Sequence, residues 1–201
     1  LYTLGDEDAY TQIEQRARSG DLFAISLLGT LQSGSVQVLY EALKSSDMQI
    51  RCNAAISLLQ RKDPRCINSL YELFIDTPKD LAFYLVYSPA KTMSHVNVVS
   101  SATLKANKIP FLFEQSLSLR EQLLRQTLEL SEDHFLSIAE AILLHHQLDL
   151  VPILMSLLEN MRSDKGIELL KAHQMHLGVP YIRAWANLVL FLFFVVVGFN
   201  D

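Results

Sequence analysis

The sequence predicts an all-α protein, and three observations carry that expectation. Of 201 residues 36 are Leu, 7 Gly and 6 Pro, too few turn formers for a β-sandwich or barrel, which needs a turn about every 8–12 residues. Apolar residues recur at three- and four-residue spacing along most of the chain. The segments between these periodic stretches are short, so successive helices should pack antiparallel. A hydrophobic fraction of 50% and a net charge of −5 exclude disordered, collagenous and disulfide-scaffold classes. The mild acidity also speaks against a nucleic-acid binder.

Helix punctuation orders the elements. Asp8–Arg18 places Tyr10, Ile13 and Ala17 on one face, Gly20 ends it, and Asp21 caps the following Leu22–Leu31. Ser35 is expected to cap Val36–Lys44, and Asp47 to cap Met48–Arg61, whose buried stripe is Ile50, Ala54, Leu58 and Leu59. Asp63-Pro64 starts Pro64–Ile75, because Pro suits a first turn and Asp accepts the free amides. Lys79–Tyr87 reads as a short helix stopped by Ser88-Pro89. Ser94–Lys105 reads as amphipathic, although its Val, Ser and Thr leave a strand open. Asn107–Pro110 is a turn. Helices over Phe111–Leu117, Arg120–Leu130, Glu132–Gln147, Asp149–Arg162, Asp164–Met175 and Val179–Phe199 complete the chain. Ser131 with His134 makes an incomplete capping box before Glu132–Gln147, since no Glu or Gln stands at the fourth position.

One unit is the most regular: Val36–Leu59, a short helix, a tight turn, then Asp47-x-x-Ile50-Arg51-x-x-Ala54-Ala55-x-x-Leu58. Ile50, Ala54 and Leu58 lie on one helical stripe. The alanines let two helix axes approach closely. This pattern resembles the second-helix signature of HEAT repeats. Weaker copies follow at Val96-Asn97-x-x-Ser100-Ser101-x-x-Leu104, at Phe135-x-x-x-Ala139-x-x-x-Leu143, and at Ile182-Arg183-x-x-Ala186-Asn187-x-x-Leu190. Their anchors, 50, 96, 135 and 182, are 46, 39 and 47 residues apart, within the roughly 40–47 of a HEAT repeat. The resemblance implies a right-handed α-solenoid of about four to five antiparallel helix pairs, in one domain over 1–201. Its repeats would run roughly 8–33, 35–61, 63–107, 111–147 and 149–199. It also implies that Arg51 reaches a carboxylate of a neighbouring repeat, with Asp47, Asp63 or Asp76 as partner.

HEAT-like arrays mostly bind proteins through a concave face lined by the second helix of each pair. The resemblance therefore implies a non-enzymatic scaffold or adaptor with a protein partner. The residues expected exposed on that face are Gln49, Asn53, Ser57, Gln60, Asn97 and Ser101. The alternative readings are a HEAT-like lyase or glycosylase with a cleft carboxylate, and a membrane-peripheral adaptor. A glycosylase would need a basic concave stripe, which the sequence lacks; bilin-lyase repeats are shorter, nearer 30 residues.

Sequence chemistry adds little to an enzymatic reading. There is no GxSxG, SxxK, GxGxxG or GxxxxGK[ST] pattern, and no HExxH or CxxC. Cys52 and Cys66 read as small core residues. His145 and His146 diverge by about 100° on a helix. His173 and His176 would need a third ligand such as Glu140 or Asp149. We therefore expect no metal, no cofactor and no nucleic-acid partner. Arg61, Lys62 and Arg65 form a small basic group next to a repeat boundary, and Asp6–Asp8 an acidic one at a helix start.

The chain begins with Leu1 rather than Met and shows no signal peptide, so a fragment or processed chain is expected, with a cytoplasmic setting. From Ala184 to Phe199 there is no charge. That run falls short of the about 20 apolar residues of a spanning helix. It is expected to be a core helix awaiting a covering partner, with a homodimer contact or membrane contact through Leu188–Phe199 as the other readings.

Overall fold

A computed structural model describes residues 7–31, 36–75, 81–87, 94–106, 113–145, 147–173 and 187. Helices dominate them, as expected: α1 (Glu7–Arg18), α2 (Leu22–Thr30), α3 (Gln37–Ala42), α4 (Met48–Gln60), a 3-10 turn (Pro64–Cys66) running into α5 (Ile67–Phe74), α6 (Ser101–Ala106), α7 (Phe113–Thr127), α8 (Glu132–Leu144), α9 (Val151–Met161) and α10 (Asp164–His173). One hairpin interrupts them, β1 (Leu81–Tyr87) and β2 (Ser94–Ser100). The strands are antiparallel, with Leu81 opposite Ser100, Phe83 opposite Val98 and Tyr87 opposite Ser94. The chain divides into two compact units, 1–130 and 131–201.

The hairpin corrects two helix readings, Lys79–Tyr87 and the first part of Ser94–Lys105. Leu81–Tyr87 is an unbroken run of apolar and aromatic residues, and Ser94–Ser100 is rich in Val. Both compositions suit a pleated strand better than a helix, where β-branched side chains lose rotamer freedom. The span 63–107 thus holds α5, the hairpin and the short α6, and the Val96–Leu104 copy of the repeat pattern runs from β2 into α6. The two helices expected over 111–130 are one, α7, since no Gly or Pro separates Leu117 from Arg120. The Asn107–Pro110 turn, the Ser35 cap, and the whole Val179–Phe199 segment with its signature residues Ile182, Arg183 and Ala186 lie outside the described residues.

The caps form where the sequence puts them. Asp21 accepts from the Ala24 amide at 3.0 Å, Asp47 from Gln49 at 2.8 Å, Asp63 from Arg65 at 3.0 Å, and Ser131 from His134 at 3.2 Å. The incomplete box at Ser131 is closed differently: the His134 ring Nδ1 meets the same hydroxyl at 2.8 Å. Helix α1 ends in a Schellman pair, Gly20 N–H to Ala17 and Asp21 N–H to Arg16, with Gly20 at φ +86°. Helix α4 ends the same way through Lys62 and Asp63, and Lys62 takes the left-handed position at φ +57°.

In the first unit α1 packs on α3, and α2 packs on α4. Arg18 at the end of α1 pairs with Glu41 at the end of α3. Gly29 at the end of α2 faces Ser57 and Gln60 near the end of α4. Both pairs thus meet near their C-terminal ends. Strand β2 lies on α2 and α4, while α7 meets β1 and α4, and α5 also packs on α4. Helix α4 is enclosed: every residue from Cys52 to Leu59 is buried. At the corner after α4, Arg65 stacks 3.7 Å over the Tyr40 ring, and the Tyr40 hydroxyl donates to Asp63 at 2.6 Å.

In the second unit α8 and α10 run parallel. Ser163 bonds Glu132 near both N-termini, Lys165 pairs with Asp133 at 2.7 Å, and His173 approaches Glu140 at 3.6 Å towards the other end. Phe135, Ile138, Ala139 and Ile142 of α8 and Leu154 and Met155 of α9 fill its core.

Asp21 links the α1–α2 corner to pH. Burial pushes its carboxyl up, but the Ala24 amide and the Arg16 guanidinium together hold it below the ordinary 3.8. A carboxylate depressed in the folded state stabilises fully above its unfolded value and loses that contribution as pH falls through the folded one. Urea denaturation between pH 7 and pH 2 should therefore show wild-type stability falling below about 3.8, with a shallower fall in Asp21→Asn.

Candidate functional site

The polar residues expected to face a partner are instead packed inside: Gln49 and Asn53 bond β2, while Ser57 bonds α2 and Gln60 lies beside Gly29 of α2. Asn53 and Ser57 are 0% exposed and Asn97 is 2% exposed, while Gln49 and Gln60 are half-buried. The side chain of Ser101 lies outside the described residues. The physical reason is that β2 covers the first half of this face of α4 and needs its polar groups, and α2 covers the second half.

Asn53 carries the contact. Its Nδ2 donates to the Val98 carbonyl at 2.7 Å and to the Gln49 carbonyl at 2.7 Å, and its Oδ1 accepts from the Val98 amide at 2.9 Å. The side-chain amide thus replaces the backbone of a third strand. Gln49, one turn earlier, accepts from the Ser100 amide at 3.0 Å and the Thr103 hydroxyl at 3.2 Å. The spacing fits: four helical residues rise about 6 Å and two strand residues about 6.6 Å. Alternate residues of β2, Val98 and Ser100, turn their free backbone groups to α4, so the edge of the strand is satisfied by side chains.

Two further contacts tie α2 into the same seam. Ser57 Oγ reaches the Ile25 carbonyl and the Asn53 carbonyl, each at 2.9 Å. Ser26 Oγ donates to the Leu22 carbonyl at 2.9 Å and also hydrogen-bonds the Asn97 side chain. A methyl group at Gly29 would sit 2.7 Å from the Ser57 Cα, so only a glycine allows this approach of α2 to α4.

The repeat signature behaves as structure. Asp47 caps α4, Ile50 packs beside Gly20, and Ala54, Ala55 and Leu58 are 0% exposed. Arg51 does reach a carboxylate, but it is Glu72 of α5 rather than Asp47 or Asp63. Arg51 Nε and Nη2 stand 3.0 and 2.9 Å from Glu72 Oε2, and Nη1 donates to the Ser45 and Ser46 carbonyls. Asp47 is engaged as a cap, Asp63 bonds Tyr40 and Arg65, and Asp76 lies outside the described residues.

Ser26, Gly29 and Glu72 were not singled out by sequence. A signal for the first two exists: neither Leu22–Thr30 nor Cys52–Gln60 contains a charged residue. A helix with one solvated face ordinarily carries charge on it, so these two uncharged helical stretches mark a buried layer.

Among the described residues a small pocket opens on the α1–α3 side. Ala17, Val38, Ala42 and Ile50 give it an apolar lining, the Arg18–Glu41 ion pair stands beside them, and its volume is about 230 Å³. Its charges are paired, so it offers shape and apolar contact rather than a reactive group. Among the described residues no group of three or more His, Cys, Asp or Glu could hold a metal ion. No helix among them is long and apolar enough to cross a membrane. Cys52 and Cys66 are free and buried, and burial pushes both thiols up to about 12, which removes their nucleophilic form near neutral pH. No family model, curated protein or solved structure matches this chain.

Asn53→Ala should lower stability by about 3 kcal/mol in chemical denaturation, because the Val98 amide and carbonyl would both be left buried without partners. Native protein at pH 7 should react with a thiol reagent far more slowly than urea-unfolded protein at both cysteines.

Proposed function

We propose that the chain is a protein-interaction module built, in the manner of HEAT repeats, from stacked helix pairs. Its partner inserts an apolar side chain between α1 and α3. The observation that carries this reading is the pocket of about 230 Å³ at the α1–α3 junction. The second-helix side of the stack is taken by β2, so the first-helix side offers the concavity for a partner. The lining fits an apolar group, and an apolar pocket with a polar, solvent-exposed rim is the arrangement in which an interface seats a buried anchor side chain. The stacking of α1 on α3, α2 on α4 and α8 beside α10 supports the repeat reading.

The test fills the pocket. Ala42 is 8% exposed and lies in the pocket wall. Affinity capture from the source cells, with Ala42→Leu compared against the wild type, should recover a partner that the variant loses while its melting temperature is kept. A partner held equally by both proteins, or none held by the wild type, would overturn the proposal.

A further inference from the structure

We infer that Asn97 is a register lock: it sets which residues of the hairpin lie opposite α4. Asn53 bonds the amide and carbonyl of Val98, and Gln49 bonds the amide of Ser100. These are backbone atoms, and along a strand they recur every two residues. Within the strand, helix α4 therefore binds backbone without reading which residues it holds; its bond to a side chain lies past the strand, where Gln49 accepts from the Thr103 hydroxyl of α6. If the hairpin slid by two residues, with its own ladder intact, Asn53 would find the Val96 backbone and Gln49 the Val98 amide.

The side chains would permit that slide at most positions. Val96 would enter the buried site of Val98, valine for valine. His95 would come opposite Ser26, where an imidazole can accept or donate a hydrogen bond. Residue 97 would enter the site of Val99, which is 1% exposed. Among the β2 residues 95–97 the slide fails there, because the Asn97 amide would be buried in a valine's place and lose its bond to Ser26. The opposite slide would put Ser100 into the buried site of Val98. Within the run His95-Val96-Asn97-Val98-Val99, Asn97 is thus the residue whose chemistry distinguishes the observed register from the one two residues away.

Asn97→Val distinguishes this role from simple structural glue. Ser26 keeps the Leu22 carbonyl as its hydrogen-bond partner in the variant, and valine suits a buried strand. The variant should therefore fold and melt close to the wild type. In amide proton–nitrogen spectra of the labelled full chain, residues 94–100 should show two sets of resonances where the wild type shows one. A single set at wild-type shifts would overturn the inference. So would a variant that loses stability or fails to fold, since that result belongs to a residue that only contributes binding energy.

Discussion

The pairing of the Asn53 side chain with both backbone groups of Val98 is the constraint around which the first unit is arranged. A two-stranded ribbon is marginal alone in water, and its outer edge presents amides and carbonyls that burial would leave unmet. Here one primary amide matches both the donor and the acceptor of a strand residue, and Gln49 takes the next amide along. The hairpin can therefore lie directly on a helix layer. Asn53 also returns its second proton to the Gln49 carbonyl of its own helix, which leaves its amide group fully engaged.

Everything around α4 follows from that placement. Once β2 covers one side, with α2, α3, α5 and α7 also packed against the helix, α4 has no long solvated face and can carry no charge between Cys52 and Gln60. Small residues then become necessary. Ala54 and Ala55 are fully buried, and Gly29 on α2 admits the Ser57 backbone. Arg51, near the start of the helix, is the charge that remains, and it faces outward to Glu72 and two carbonyls.

Local chemistry was the most legible level of the sequence. Asp21, Asp47, Asp63 and Ser131 cap the helices as expected because a cap depends on residues two or three positions away. Arg51 was legible as half of an ion pair but not in its partner, since Glu72 is brought close by the packing of α5 on α4. The hairpin was hidden by three- and four-residue spacings that valine-rich strands meet by accident, as at Val96 and Val99. The stripe Gln49, Asn53 and Ser57 was legible as a unit, and its meaning was not. Polar residues at i, i+4 and i+8 look the same whether they face water or neighbouring elements, and the absence of charge beside them was the clue to the second. Ser26 and Gly29 carried their information only through contacts with residues some thirty or seventy positions away.

The claim that side chains of α4 stand in for a neighbouring strand is tested most directly by hydrogen exchange at the Val98 amide. The account predicts that this amide exchanges as slowly as the backbone amides of α4 and is released only with global unfolding. Exchange at the rate of an unpaired edge strand, well ahead of α4, would contradict it.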